Sequence, residues 1–213
     1  MNRLRYPVPY RELLSFQEKL DLKREEFDRI RPFTPAFLKK SREFAEYLHS
    51  VFINIPETKR FIENERYPGF LKEAWQKWFE YIFTHYPDKM FYEYLWRMGL
   101  SHAEVDLDQR YSNLGFSLVR CYCHNIIKSE IPMDKKAVVA EVVDKIIDLC
   151  LLVETNAYIA GTVRCEQDII FGISDGLRNP VMIIGGLINR LKKDVKEDDP
   201  KNEIYETIIY EIK

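Results

Sequence analysis

The 213-residue sequence is short of turn-making residues, with 8 glycines and 10 prolines. That scarcity disfavours a turn-rich all-β fold. Cysteine is scarce too, and its four positions do not form a disulfide framework, so a reduced chain is expected. No stretch is apolar for long enough to span a bilayer. The opening MNRLRYPVPY lacks the apolar run of a signal peptide, so the expected location is cytoplasmic. Neither sign of charge dominates: 32 Lys and Arg face 34 Asp and Glu, for a net charge of -2. Without a basic stripe, a nucleic-acid partner is not expected. Apolar residues are plentiful at 46%, enough for one sizeable core or a core with a helical appendage. Aromatic residues make up 14% and can line a cavity as readily as fill a core.

Apolar spacing is helical almost throughout. Leu13, Phe16, Leu20 and Phe27 mark an amphipathic lead-in over residues 10–30. Thr34 followed by Pro35 reads as an N-cap and first helical position. The helix they open carries Phe37, Phe44, Leu48 and Phe52, and Pro56 is expected to end it. After Tyr67-Pro68-Gly69 comes an aromatic helix with Phe70, Trp75, Trp78, Phe79 and Ile82, broken by Pro87. In the next helix Phe91, Leu95, Met98, His102 and Val105 recur at spacings of four and three, which puts His102 on the apolar face. Asp106 or Asp108 is placed to cap the helix that reaches about Ile131.

From Asp134 on, the pattern is an unbroken heptad. One seam set is Val139, Ile146, Val153, Ala160, Gln167, Ser174, Val181 and Ile188. The other is Val142, Leu149, Asn156, Val163, Ile170, Leu177, Ile184 and Leu191. Sustained heptads predict a long helix packed along a seam, here a parallel homodimer with Asn156 fixing register. The alternative is a helix lying on its own globular domain. Gly172, Gly176 and Pro180 are expected to weaken or kink it.

There are four histidines: His49, His85, His102 and His124. His102 is the best ligand candidate, because neutral imidazole binds haem iron and an apolar wall suits the cofactor. Read from the residues alone, a core histidine with a satisfied hydrogen bond remains open. His85, at a helix end, reads as structural. Cys121-Tyr122-Cys123-His124 is one residue short of the covalent haem spacing, and no second cysteine pair completes a zinc site. Cys150 and Cys165 read as ordinary buried or interface thiols.

The stretch Arg97-Met98-Gly99-Leu100-Ser101-His102-Ala103-Glu104-Val105, continued by Arg110-Tyr111-Ser112-Asn113-Leu114-Gly115, resembles the globin domain of the globin-coupled sensors. Ile55-Pro56-Glu57-Thr58-Lys59-Arg60-Phe61 and the lead-in ending Arg31-Pro32-Phe33 are similar too, so the likeness covers roughly residues 10–155. The resemblance implies a haem b cofactor with His102 as proximal iron ligand and Met98 beside it. The family usually places a distal tyrosine where this chain has His49, with Tyr47 two residues away. A helix turns about 200° in two residues, so the two cannot face a haem equally. His49 shares a face with Ala45 and Phe52. It is a candidate to donate a hydrogen bond to bound gas or to ligate iron, the bland alternative being a partly exposed surface histidine. Leu71, Trp75 and Lys72 are further pocket candidates.

Ser174 to Leu187 resembles the phosphoacceptor box of sensor histidine kinases, with Leu177-Arg178-Asn179-Pro180 matching. Asp175 stands where that family has its phosphorylated histidine, so the box is expected to be inactive. Ile204, Ile208 and Ile212 read as the start of a returning helix. With no Gly-rich nucleotide-binding segment in these residues, the chain is not expected to be a kinase by itself.

The expectation is therefore an all-α protein. Residues 1–155 form a globin-like haem sensor, and residues 156–213 a partial, kinase-like dimerisation hairpin. Its function would be haem-based gas or redox sensing, oxygen first among the signals. Its partners would be a second copy, a diatomic gas, and a kinase catalytic domain or response regulator. The competing readings are a haem-free regulatory scaffold and a phosphotransfer fragment.

Overall fold

The computed structural model describes residues 7–193, 195–196 and 199–212. Every regular element among them is helical, as the apolar periodicity predicts. In order these are α1 (Tyr10–Lys19), α2 (Arg24–Ile30), a 3-10 turn (Arg31–Phe33), α3 (Thr34–Leu38), α4 (Ser41–Phe52), α5 (Pro56–Glu63) and α6 (Phe70–Thr84). Then follow α7 (Lys89–Glu104), α8 (Gln109–Glu130), α9 (Lys136–Lys193) and α10 (Lys201–Glu211). They divide into two compact units, Met1–Thr162 and Val163–Lys213. The sequence placed the boundary after residue 155.

Local chemistry sets the breaks. The lead-in splits into α1 and α2 at Asp21, whose φ is 50°. Thr34 does not cap α3. It is already helical, and its hydroxyl donates to the Phe83 carbonyl at 3.4 Å. Pro56 does not end α4, which stops at Phe52; it opens α5 from the first helical position, where a missing N–H costs nothing. Gly69, at φ 88°, supplies the left-handed turn before α6. Of the two candidate caps of α8 it is Asp108 that serves, accepting from Arg110 N at 2.9 Å; Asp106 sits at φ 55°. Asp88 caps α7 by accepting from Phe91 N at 3.0 Å.

The core of the first unit is aromatic where α3, α4 and α6 meet. Phe44 stacks on Phe79 with centroids 4.3 Å apart, and Phe37 on Phe83 at 4.4 Å. Each such buried ring contributes about 1.5–3 kcal/mol. The lead-in docks through one buried amide, Gln17. Its Nε2 donates to Leu22 O and to the Tyr86 hydroxyl, both at 2.9 Å, and its Oε1 accepts from Tyr92. Burial pushes the Tyr92 phenol well up, so it stays a donor.

The heptad pattern proves to be two structures in series. Val139, Val142, Ile146, Leu149 and Val153 are buried inside the first unit, so there α9 lies on its own globular domain. Asn156, expected to fix register, has a partner within its own chain. It donates to Glu12 Oε1 at 3.0 Å, tying α9 to α1. From Val163 on, the second seam set is exposed, reaching 61% at Ile170 and 59% at Leu177. The helix continues through Gly172, Gly176 and Pro180 without an assigned break. In the second unit α10 runs back along α9, pairing Lys192 with Glu206 and setting Ile212 against Gly185.

Candidate functional site

His102 lies near the C-terminal end of α7, and its side chain is 31% exposed. Its Nδ1 is 2.8 Å from Oε1 of Glu154, on α9. The Glu154 side chain is only 5% exposed. The same oxygen accepts a hydrogen bond from the Ser112 hydroxyl, on α8. A buried carboxylate needs such donors, because desolvation disfavours an unpaired charge. An ionised carboxylate accepts only, so in this contact Nδ1 would be the donor, and a neutral ring would then keep its Nε2 lone pair. That is the tautomer a metal-binding histidine requires.

Small residues make this contact possible. A Cβ built on Gly99 would lie 2.6 Å from the Glu154 carbonyl oxygen and 2.8 Å from Ala157 Cβ. One on Gly161 would lie 2.9 Å from Ala103 Cβ. Gly99 and Ala103 on α7 thus face Ala157 and Gly161 on α9, each pair four residues apart and so on one helix face. With larger side chains there, the two backbones could not approach closely enough for His102 to reach Glu154. Sequence reading missed Glu154, Ser112 and this small-residue match. The four-residue spacing of small residues on both helices was the available signal.

Met98, one turn before His102, packs half-buried on the core, as do Leu71 and Trp75 of α6. Trp75 lies 6.0 Å from Phe52, and Trp78 meets Phe116 edge-on at 5.8 Å. The buried Trp78 indole N–H has no hydrogen-bond partner among the described residues. Tyr47 stacks on Tyr122 with centroids 5.6 Å apart. His49 is half-buried on α4. It lies close enough to Glu46 to add slightly to the lowering of that carboxyl, which comes first from the hydrogen bond donated by Lys72. The Lys72 ammonium bridges α6 to Glu46 of α4 at 2.7 Å.

The remaining candidates do not join this set. His85 stacks on Tyr81 at 4.0 Å, and His124 Nε2 is 3.0 Å from Asp144. Burial pushes the Cys123 and Cys150 thiols well up, while Cys121 and Cys165 are exposed. Asp175 is exposed on α9. Hollows of about 410 Å³ beside Phe27 and Tyr86 and about 450 Å³ beside Leu38 and His85 both exclude His102 from their lining. The site is thus defined by its side chains rather than by either hollow.

A family model described as Protoglobin matches residues 10–163. The chain belongs to the protoglobin family. The match spans almost all of the first unit of this protoglobin and ends where the second begins. No curated relative matches. Among solved structures, the globin domain of the Geobacter sulfurreducens globin-coupled sensor is similar, with a TM-score of 0.65 at 23% identity. That likeness covers 68% of this chain and 96% of that one, and it establishes a globin-like fold for the region.

The family association points to haem in general. Among the described residues no cluster of three or more His, Cys, Asp or Glu side chains is placed to hold a bare metal ion. Haem asks less of the protein, since the porphyrin brings its own nitrogen donors and needs an axial ligand and apolar walls. A histidine with its Nδ1 engaged, and half-buried Met98 one turn before it, match the axial ligand and part of an apolar wall in that requirement.

No helix of the described residues is long and apolar enough to cross a membrane.

Proposed function

We propose that this protoglobin is a haem-based gas or redox sensor, with haem b held by His102 and oxygen the first candidate signal. The observation that carries the reading is the His102–Glu154 contact, which leaves Nε2 as the free nitrogen of a half-buried ring. When bound, haem would supply a gas-binding, redox-active iron. The chain's own residues do the rest. His102 binds and orients the group, Glu154 accepts the Nδ1 hydrogen bond, and the Ser112 hydroxyl donates to that same carboxylate oxygen. Met98, Leu71 and Trp75 exclude water from its faces. His49 is the proposed distal residue, either donating a hydrogen bond to the gas or ligating the iron, with Tyr47 turned toward Tyr122.

Output is proposed to pass through a homodimer of the second unit. Its seam, from Val163 through Ile170, Leu177 and Ile184 to Leu191, leaves these apolar side chains 46–61% exposed, as an unpartnered interaction face would. Ligand state would bias the packing of α9 as a two-state element. A kinase catalytic domain or response regulator is the proposed recipient. Asp175 is not assigned phosphoacceptor chemistry, because an acyl phosphate normally needs magnesium held by clustered acids.

Adding haem to the purified chain tests the reading. The expected result is stoichiometric uptake with a histidine-ligated Soret spectrum. A haem-free scaffold is the second reading, favoured by the fact that neither hollow reaches His102. Failure to take up haem would select it.

A further inference from the structure

The geometry points to Glu154 as the positioning residue that sets the electron-donor strength of His102, with Ser112 as its counterweight. This rests on the haem reading above and goes beyond it, since it assigns control of the iron to two residues outside the cofactor pocket. Three observations carry it. Glu154 is nearly fully buried, yet its Oε1 takes both of the hydrogen bonds found there, from His102 Nδ1 at 2.8 Å and from the Ser112 hydroxyl. The backbone is arranged for this contact by Gly99, where any Cβ would strike the Glu154 carbonyl. Finally, Glu154 is one of only four polar or charged residues buried in the described chain, along with Gln17, Ser41 and Thr58, and the only acid among them.

A carboxylate accepting the Nδ1 proton gives the imidazole partial imidazolate character. That raises electron density at Nε2 and favours the ferric over the ferrous state of an iron bound there. The Ser112 hydroxyl draws on the same oxygen, so it tempers the donation. Glu154 belongs to α9, the helix that continues to Lys193.

The two residues therefore make opposite predictions. In the haem-loaded protein, Glu154→Gln replaces the charged acceptor with a neutral one and should raise the midpoint potential. A tenfold loss of ferric preference corresponds to about 59 mV for a one-electron couple. Ser112→Ala should lower the potential, because the carboxylate then serves His102 alone. A merely structural role would not produce opposite signs. Haem affinity of Glu154→Gln should also fall by about 10–100-fold. Independently of haem, 15N NMR of the apoprotein should show the neutral His102 ring protonated at Nδ1, with protonation shifting toward Nε2 in Glu154→Gln. Potentials that do not move, or that move together, overturn the inference, as does a wild-type ring protonated at Nε2. If wild type takes up no haem, the haem reading itself fails. That outcome is distinct from haem bound at His102 with unresponsive potentials.

Discussion

Gly99→Ala is the most informative single-atom perturbation of the fold. The added Cβ would sit 2.6 Å from a backbone carbonyl oxygen and 2.8 Å from Ala157 Cβ, where ordinary contact needs more than 3.4 Å. Neither obstacle is the end of a flexible side chain, so α7 and α9 must separate by most of an ångström. Overpacking of this kind costs about 1–3 kcal/mol. In a chain of this length that lowers the melting temperature by about 2–4 °C for each kcal/mol. The separation also stretches the 2.8 Å His102–Glu154 contact, so haem affinity should fall with stability. Gly172 is the control. It lies in the same helix as Glu154, and nothing stands within 4 Å of the place a Cβ would take. There Gly172→Ala should stabilise by about 0.5–1 kcal/mol through helix propensity alone. Thermal unfolding of both variants, with haem titration of the first, reads these signs. A Gly99→Ala protein as stable as wild type, with unchanged haem affinity, would refute the close-approach argument.

Ile170→Glu should weaken homodimerisation in sedimentation while leaving the first unit folded, whereas Leu149→Glu, with its side chain fully buried in that unit, should unfold it. A monomeric wild type at high concentration would contradict the seam. His49→Ala should convert a low-spin ferric spectrum to high-spin if His49 ligates iron, or speed oxygen release if it only donates a hydrogen bond; no change in either would remove it from the site. Asp108 is held down to about 2, first by the hydrogen bond from the Arg110 side chain, so its native carboxylate is favoured above the ordinary value and protonates as pH falls through about 4 to 2. Urea midpoints over that window should fall less steeply in Asp108→Asn than in wild type.

The sequence showed what depends on local periodicity and not what depends on approach between distant segments. The helical class, the apolar face carrying His102 and the break at Gly69 follow from neighbouring residues, whereas Asp106 and Asp108 are equal cap candidates until the structure selects Asp108. Thr34 reads as a cap because a cap and a first helical position share residue types, and Pro56 as a stop because proline serves both to end one helix and to open the next. The heptad was legible, but one pattern serves an intradomain core up to Val153 and an exposed seam beyond Val163, and composition does not separate the two. Glu154 lay hidden between seam positions Val153 and Asn156, 52 residues from its partner, and became visible only once Gly99 and Gly161 brought the helices together.

Whether His102 Nε2 is the iron's protein ligand is decided most directly by the spectrum of His102→Gly mixed with haem, with and without free imidazole. The histidine-ligated spectrum of wild type should be lost in the variant and return when imidazole fills the vacated position. A variant that keeps the wild-type spectrum without imidazole would contradict ligation by His102.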